Sequence, residues 1–249
     1  MERLFGLIGN PIKHSYSKEY FDRKFQTASG ENFRYLLFQL QEIDELPGFI
    51  HRYPNLEGLN VTIPFKKQVL RYIDHLSPEA KETGAVNCIR LKKAKVKPVL
   101  FGYNTDVFGF ESSLKPFLKP IHNKALILGT GGSSAAVGWV LKSHNINFRY
   151  VSRLPNQAGQ IGYSDLNLTI MKEHLLIINT TPVGMFPGTD DFPPIPFNYL
   201  SSDHILFDLI YNPPETLFLK KGREKGALTI NGMQMLFIQA KKSWEIWQI

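Results

Sequence analysis

The stretch KALILGTGGSSAAVGWVLKSHNINFRYVSR, residues 124–153, decides the fold of the second half of the chain. A short apolar run, a glycine turn, a helical pattern and a second apolar run follow one another, which predicts a strand, a turn, a helix and a strand. Gly129 permits a tight turn, and Gly131 lets the backbone approach a pyrophosphate at the start of the helix. The pattern therefore indicates a Rossmann-type dinucleotide-binding domain. An ordinary glycine turn between a strand and a helix is the alternative.

The residues around this turn indicate which dinucleotide would bind. Ser134 stands at the third glycine position of the G-x-G-x-x-G pattern, where a small side chain still allows the helix to pack closely on the strand. The second strand ends with Ser152 and Arg153. An NAD site usually has an acidic residue there, whereas an arginine suits the 2′-phosphate of NADP. We therefore predict NADP rather than NAD, with a surface arginine of no special role as the alternative.

The first half of the chain alternates between apolar runs and amphipathic segments, which predicts an α/β domain with a largely parallel sheet. The predicted strands are RLFGLIG (3–9), FRYLLFQ (33–39), GLNVTI (58–63), and AVNCIRL (85–91) paired with KPVLFGYN (97–104) across a basic hairpin loop. The predicted helices are SKEYFDRKFQ (17–26) with Ser17 as its N-cap, QEIDELPGFIHRY (41–53), FKKQVLRYIDHL (65–76) and SPEAKETG (77–84).

Beyond the glycine turn, three further apolar runs predict buried strands, and a long amphipathic helix ends the chain. The runs are LLIINTT (175–181), HILFDLIY (204–211) and GALTI (226–230). We therefore expect two α/β domains with a cleft between them. Residues 1–105, completed by the C-terminal helix 233–249, form the predicted substrate-binding and catalytic domain, and residues 106–232 form the predicted NADP-binding domain.

Composition and charge exclude several other classes of protein. The 249 residues are 43% apolar, but no run of eighteen apolar residues could span a membrane, and the start lacks a signal peptide, so a cytoplasmic protein is expected. Cys88 is the single cysteine, and the seven histidines show no metal-site spacing, so neither a disulfide nor a bound metal is predicted. The net charge of +7 comes from scattered lysines, which suit solvated faces and anionic small molecules better than nucleic acid.

Two charged residues follow predicted strands and are candidates for proton transfer. Lys66 closes GLNVTIPFK (58–66), and Asp106 lies in GYNTDVFG (102–109). Hydride transfer from an alcohol requires a group that accepts the hydroxyl proton, and a lysine beside an aspartate can do so. We expect the two side chains to lie one hydrogen bond apart and to titrate as a coupled pair, so the formal base is left unassigned. A solvated lysine and a helix-start aspartate are the alternatives.

Eight ordered motifs make the chain resemble the shikimate dehydrogenase family nearly from end to end. The matching segments are GNPIKHSYS (9–17), NVTIPFK (60–66), GAVN (84–87), GYNTDVFG (102–109), the glycine turn (129–134), NTTPVGM (179–185), DLIYNP (208–213) and GMQMLFIQ (232–239). The resemblance implies a two-domain enzyme that interconverts shikimate and 3-dehydroshikimate with NADP, in the chorismate pathway of aromatic amino acid biosynthesis.

The resemblance also implies roles for particular residues. Lys66 and Asp106 would be the catalytic pair, and Ser15 and Ser17 would bind the substrate carboxylate. The other implied substrate-binding residues are Asn60, Thr62, Asn87, Tyr211 and Gln239. The implied cofactor-binding residues are Gly129, Gly131, Gly132, Ser133, Ser152, Arg153, Thr181, Gly184, Met185 and Gly232.

The chain departs from the family pattern at three places. Lys18 replaces a proline, Cys88 replaces the threonine of G-A-V-N-T, and Ser152-Arg153-Leu154 replaces N-R-T or N-R-S. NADP is still the expected cofactor. The alternatives are a quinate/shikimate dehydrogenase that uses NAD or both cofactors, and a non-catalytic shikimate-binding relative. A basic nucleic-acid-binding protein is the least favoured of the alternatives. The chain is expected to be a monomer or a homodimer and to bind no membrane.

Overall fold

The computed structural model describes residues 2–12, 15–27, 32–157 and 159–249. The chain divides into two compact units. Unit 1 comprises Met1–Phe108 and Phe237–Ile249, and unit 2 comprises Gly109–Leu236. None of the helices in the described ranges has both the length and the apolar character needed to cross a lipid bilayer.

Unit 1 is built on a mixed six-stranded sheet. Its strands are β1 (Arg3–Gly9), β2 (Phe33–Gln39), β3 (Leu56–Val61), β4 (His75–Leu76), β5 (Cys88–Lys92) and β6 (Val99–Tyr103). Its helices are α1 (Tyr16–Gln26), α2 (Leu46–Arg52), α3 (Phe65–Gln68), α4 (Pro78–Thr83), the start of α5 (Thr105–Leu114) and, from Phe237, the last helix, α9 (Met233–Trp247).

The strand order in this sheet is β2-β1-β3-β5-β6-β4. Strands β1, β2 and β3 run parallel, whereas β5 runs antiparallel to both β3 and β6. The predicted hairpin is thus confirmed, whereas the expectation of a largely parallel sheet fails at β5, which is antiparallel to both of its neighbours. The hairpin accounts for the β5–β6 pair, because a short connection reverses the chain and makes the strands that it joins antiparallel.

Two predicted helices differ from the structure. Helix α1 begins at Tyr16, two residues earlier than expected, with Ser15 rather than Ser17 at the N-cap. The helix predicted for residues 65–76 ends at Gln68, continues as a 3₁₀ turn over Val69–Tyr72, and is followed by strand β4. The valine, tyrosine and isoleucine of this segment are weak helix formers, and β4 pairs with β6 instead.

The last helix packs on the sheet of unit 1 through aromatic side chains. Trp247 donates its indole N–H to Ile89 O at 3.0 Å. A Cβ at Gly58 would lie 2.4 Å from Trp247 Nε1, so only glycine lets the indole cover β3 here. Around it, Phe5, Phe21 and Tyr35 are buried in one cluster, which joins the C-terminal helix to the start of the chain.

Unit 2 is built on a fully parallel six-stranded sheet in the order β12-β11-β10-β7-β8-β9. Its strands are β7 (Lys124–Leu128), β8 (Asn147–Ser152), β9 (Gln160–Gly162), β10 (Leu176–Asn179), β11 (Ile205–Asp208) and β12 (Leu228–Ile230). Its further helices are α6 (Gly132–Ser143), α7 (Leu168–Glu173) and α8 (Leu217–Glu224). The central strands β7, β10 and β11 are buried almost throughout, as expected for a parallel sheet covered on both faces.

Candidate functional site

The charged pair predicted from the sequence is formed in unit 1. Lys66 Nζ lies 2.6 Å from Asp106 Oδ2, and only 16% and 10% of the two side chains are exposed. Lys66 is the second residue of α3, just beyond the carboxyl end of β3. Asp106 lies in the first turn of α5, just beyond β6. The pair is therefore held largely out of water at the ends of two strands, where it can exchange a proton with a bound molecule.

Asn87 holds the second oxygen of the Asp106 carboxylate. Its Nδ2 donates to Asp106 Oδ1 at 2.8 Å, and its Oδ1 accepts the backbone N–H of Thr105 at 2.7 Å. A carboxylate accepts only and a backbone N–H donates only, so these two partners fix the orientation of the amide. Asn87 thereby caps the start of α5 and aims Asp106 toward Lys66.

Backbone hydrogen bonds hold the segments that carry these side chains. Val86 donates its N–H to Lys66 O at 2.8 Å, and Asn87 donates to Tyr103 O at 3.0 Å. The carbonyl of Asn87 accepts from Val61 N at 2.8 Å. Strand β3, the segment 85–87 and the end of β6 are thus bonded directly to one another, which limits the movement of the pair.

Asn60 lies deeper, with hydrogen bonds to three other parts of unit 1. Its Oδ1 is 2.9 Å from the hydroxyl oxygen of Tyr35, and its Nδ2 donates to Ser243 Oγ at 2.8 Å and to Asn87 O at 3.3 Å. Gln239 lies one turn before Ser243 on α9, and its Oε1 accepts from Thr105 Oγ1 at 3.3 Å. Five of the predicted site residues therefore belong to one hydrogen-bonded cluster, namely Asn60, Lys66, Asn87, Asp106 and Gln239.

Three members of this cluster were not singled out from the sequence: Tyr35, Thr105 and Ser243. Thr105 lies beside Asp106 in the motif GYNTDVFG (102–109), so the predicted role of Asp106 could have pointed to it. Ser243 follows Gln239 by four residues, which places both side chains on the same face of α9. Nothing in the local sequence around Tyr35 marks it as a partner of Asn60, since it lies within an apolar strand.

The remaining predicted substrate residues of unit 1 lie at element ends. Ser15 caps the start of α1 without a side-chain capping bond, and Ser17 lies in its first turn. Both are half-buried, as is Thr62, which directly follows β3. Lys13 and His14, within the motif 9–17, lie outside the described residues. Within the described residues, no hydrogen bond links Ser15 or Ser17 to the Lys66–Asp106 pair.

The glycine turn of unit 2 leads from β7 directly into α6. Gly129 has φ +102°, and a Cβ there would lie 2.8 Å from Thr181 Cγ2, so both the conformation and the space require glycine. A Cβ at Gly131, the N-cap of α6, would meet no atom within 4 Å. The backbone at Gly131 and Gly132 is therefore accessible to a ligand at the N-terminus of a twelve-residue helix.

Two small residues lie on the buried face of α6. Ser134 is buried, and its hydroxyl donates to Gly131 O at 2.7 Å, so it closes the turn as a small residue can, while Ser133 beside it is half-buried. One turn later, a Cβ at Gly138 would lie 2.6 Å from Tyr150 Oη, at the tip of a side chain of β8. Gly138 is thus a second position at which a small residue faces the sheet.

The end of β8 carries Ser152 and Arg153, the residues predicted to distinguish NADP from NAD. Ser152 Oγ accepts the N–H of Leu154 at 3.2 Å, which shapes the turn after the strand. Arg153 and Leu154 are both exposed, and 82% of Leu154 is accessible. The guanidinium of Arg153 is therefore presented at the strand end, where a 2′-phosphate would be bound.

A buried carboxylate holds the loop that follows β10. Asp208, at the end of β11, accepts from Asn179 Nδ2 at 3.0 Å, Ile210 N at 3.0 Å and Thr216 Oγ1 at 2.6 Å. Asn179 Oδ1 in turn accepts from Thr181 Oγ1 at 2.7 Å. Burial raises the pKa of Asp208 to about 7, because desolvation outweighs the three hydrogen bonds. Asp208 and Thr216 were not predicted to serve the site.

The other predicted residues of unit 2 lie in loops near this network. Gly184 is buried with φ +97°, whereas 45% of Met185 is exposed beside it. Tyr211 is half-buried, just beyond β11. Gly232 is packed against backbone, since a Cβ there would lie 2.1 Å from Leu209 O.

Neither the cysteine nor the described acidic and histidine side chains form a metal centre. Cys88 is buried, and burial raises the pKa of its thiol to about 12, so it is an inert thiol in the core. In the described part of the chain, no group of three or more His, Cys, Asp and Glu side chains could hold a metal ion.

Comparison with known proteins matches both units. The family model described as shikimate dehydrogenase substrate binding domain matches residues 7–89. The shikimate dehydrogenase (NADP(+)) of Methanococcus maripaludis is 36% identical over 98% of this chain and 91% of its own.

Solved structures agree with these matches. Shikimate dehydrogenase 1 from Peptoclostridium difficile is 38% identical, with a TM-score of 0.84 over 99% of this chain and 91% of that one. Shikimate 5-dehydrogenase from Thermus thermophilus, solved in complex with NADP(H) and shikimate, is 29% identical, with a TM-score of 0.84 over 98% of this chain and 93% of that one.

Proposed function

Since this chain belongs to the shikimate dehydrogenase family, we propose that it catalyses the reversible, NADP-dependent reduction of 3-dehydroshikimate to shikimate. The observation that carries the proposal is the Lys66–Asp106 pair, 2.6 Å apart and largely buried. A non-catalytic relative that only binds shikimate would have no need to keep both members of such a pair.

The reaction moves a hydride and a proton, and the protein handles the proton. The nicotinamide, when bound, supplies or accepts the hydride at the carbon that carries the oxygen. In the direction of reduction, the Lys66 ammonium donates a proton to that oxygen as negative charge develops on it. Asp106 holds the ammonium in position, and in the reverse direction the pair takes up the hydroxyl proton as one coupled unit.

The other residues proposed to bind substrate suit a small polyhydroxylated acid. Ser15 and Ser17 lie at the N-terminus of α1, where backbone N–H groups favour a carboxylate, and the Ser15 hydroxyl is not used for capping. The ring hydroxyls need neutral donors and acceptors, and a site of this kind rejects an analogue that lacks a hydroxyl. The residues proposed for this role are Asn60, Thr62, Asn87 and Asp106. We assign Tyr211 to the carboxylate, and Gln239 to the substrate site from α9.

Unit 2 contains residues that fit NADP. The open backbone at Gly131 and Gly132, with Gly129 and Ser133, suits the pyrophosphate at the start of α6. Arg153 and Ser152 suit the 2′-phosphate, because a guanidinium forms charge-assisted hydrogen bonds with phosphate oxygens. We assign Thr181, Gly184, Met185 and Gly232 to the nicotinamide end of the cofactor. Unit 1, which contains Asp106, is then the substrate domain and unit 2 the cofactor domain, in a cytoplasmic enzyme.

Formation of NADPH from shikimate and NADP tests the proposal directly. The wild-type protein is assayed by NADPH absorbance with shikimate or quinate, each with NADP or NAD. Turnover with shikimate and NADP at the highest kcat/KM supports the proposal. A preference for quinate or NAD would favour the quinate/shikimate branch instead. Binding of shikimate without turnover in any of the four combinations would favour the non-catalytic relative.

A further inference from the structure

Ser243 occupies a central place in the buried network of unit 1. It lies on α9, its side chain is fully buried, and its hydroxyl contacts the Cys88 thiol as well as the three groups that follow. Asn60 Nδ2 lies at 2.8 Å, Gln239 O at 3.0 Å and Thr105 Oγ1 at 3.3 Å. Asn60 and Thr105 are 183 and 138 residues away in sequence, so this one hydroxyl joins β3 and the start of α5 to the last helix.

The direction of these hydrogen bonds follows from their partners. The backbone carbonyl of Asn87 accepts only, and it lies 3.3 Å from Asn60 Nδ2, so the Asn60 amide nitrogen faces Asn87 and Ser243. Asn60 Oδ1 therefore faces the Tyr35 hydroxyl, which donates to it at 2.9 Å. Ser243 Oγ must then accept from Asn60, and it gives its own proton to Gln239 O or Thr105 Oγ1.

From Thr105 the network continues to the charged pair. Thr105 donates its hydroxyl to Asn87 Oδ1 at 3.1 Å and its backbone N–H to the same atom at 2.7 Å. Asn87 Nδ2 then donates to Asp106 Oδ1 at 2.8 Å, and Asp106 Oδ2 accepts from Lys66 at 2.6 Å. Contacts within hydrogen-bond distance thus continue without a gap from Ser243 to Lys66, and all of them are hydrogen bonds when Ser243 gives its proton to Thr105.

We propose that Ser243 is a positioning residue for the reaction, whose hydroxyl holds Asn60 and Thr105 and through them sets Asn87 and Asp106 against Lys66. The inference rests on the proposed function and adds a residue to it. A serine in a helix often donates its hydroxyl only to the carbonyl four residues earlier, a bond that links it to no other part of the chain. Ser243 makes that bond too, but an alanine there would also leave a buried N–H of Asn60 without its partner at 2.8 Å.

Ser113 provides a matched control. It is a second buried helical serine, and its hydroxyl donates to Gly109 O at 2.8 Å, again four residues earlier. It has no described hydrogen bond to the Lys66–Asp106 cluster. Ser113→Ala therefore removes the same atoms from the same local setting without touching the network.

The test compares kcat, KM for shikimate, KM for NADP and Tm among wild type, Ser243→Ala, Ser243→Thr and Ser113→Ala. We expect Ser243→Ala to lower kcat about tenfold, because small displacements of reacting groups slow the chemical step, while KM for NADP is unchanged. Ser113→Ala is expected to keep the wild-type kcat even if its Tm falls by a similar amount. Ser243→Thr, which restores a hydroxyl, is expected to recover kcat.

A wild-type kcat in Ser243→Ala, or an equal loss in both alanine variants, would overturn the proposal and leave Ser243 a residue of the core only. Should Ser243→Ala fail to fold, Ser243→Thr and Ser243→Cys are compared, since a thiol is a much weaker hydrogen-bonding group. The comparison is made with a reducing agent present, because Cys88 contacts this position and could otherwise form a disulfide with the new thiol. A higher kcat for threonine supports positioning by the hydroxyl, and equal values oppose it. Absence of wild-type turnover would instead show that the proposed function itself is wrong, and the positioning role would fall with it.

Discussion

Asn87 and Asp106 form the hydrogen bond that orients the charged pair, with Asn87 Nδ2 donating to Asp106 Oδ1 at 2.8 Å. The same carboxylate accepts from Lys66 through its other oxygen. Both oxygens are therefore committed to donors, and Asp106 has little freedom to rotate. These contacts between protein groups hold the cluster in place, which lowers the cost of arranging it during reaction.

Lys66→Ala is expected to lower kcat by roughly 10²- to 10⁴-fold, the usual contribution of a positioned proton donor, with a small change in KM for shikimate. Lys67→Ala is the matched control, because Lys67 is the adjacent residue of α3 and is exposed. Initial-rate measurements with shikimate and NADP separate the two parameters. An equal effect of the two substitutions would show that Lys66 acts through general charge rather than through proton transfer.

Gly131→Ala is expected to raise KM for NADP about tenfold or more, because the added methyl enters space that a pyrophosphate would need. A small fall in Tm is expected as well, because alanine is a poorer N-cap than glycine. Gly138→Ala, in the interior of the same helix, is the matched control. Its Cβ would lie 2.6 Å from Tyr150 Oη, at the end of a side chain that can shift, so KM for NADP and Tm are both expected to stay near wild type. Thermal unfolding without cofactor and steady-state kinetics check both variants. A wild-type KM in Gly131→Ala would place the pyrophosphate elsewhere.

Arg153→Ala is expected to raise KM for NADP roughly 10- to 100-fold and to leave KM for NAD unchanged, since only NADP loses a charge-assisted hydrogen bond. Arg149→Ala, on the same strand and also exposed, controls for the loss of one positive charge from this region. The ratio of kcat/KM for the two cofactors is the measurement. If that ratio is the same in Arg153→Ala and wild type, Arg153 does not read the 2′-phosphate.

Asp208 is expected to make stability depend on pH. Its pKa is raised from 3.8 to about 7 by burial, so in that range the folded protein holds a proton that the unfolded chain has released. Its contribution to stability is therefore complete below pH 3.8 and is lost as the pH rises to about 7. The Asp208→Asn side chain stays neutral over this pH range, so the variant is expected not to lose stability through this group.

Urea unfolding of wild type and Asp208→Asn at about pH 5 and about pH 8 measures the effect. The free energy of unfolding is expected to fall more steeply with pH in wild type than in the variant. Burial lowers the pKa of His174 and of His204, which favours stability at higher pH. Wild type and Asp208→Asn share both histidines, so their effect cancels when the pH dependences of the two proteins are subtracted. Parallel pH dependences would show that Asp208 is ionised in the folded protein.

Local sequence was sufficient for the features that depend on neighbouring residues. The glycine turn at 129–134, the hairpin between β5 and β6 and the helix that ends the chain all follow from conformational preference and apolar spacing. Lys66 and Asp106 are 40 residues apart, yet their meeting was predictable, because each follows a strand and polar groups at strand ends meet at one edge of a sheet.

The tertiary structure alone decided the features that depend on distant partners. The segment 65–76 has helical spacing, but β6 recruits its end as strand β4. Gly138 faces the side chain of Tyr150 on β8, a contact that the glycine pattern at 129–134 does not indicate. Ser243 becomes part of the site only because α9 returns to β3 and α5. A side chain's conformation is biased by its neighbours in sequence, whereas its hydrogen-bond partners are chosen by whichever segments the fold brings within 3 Å or so.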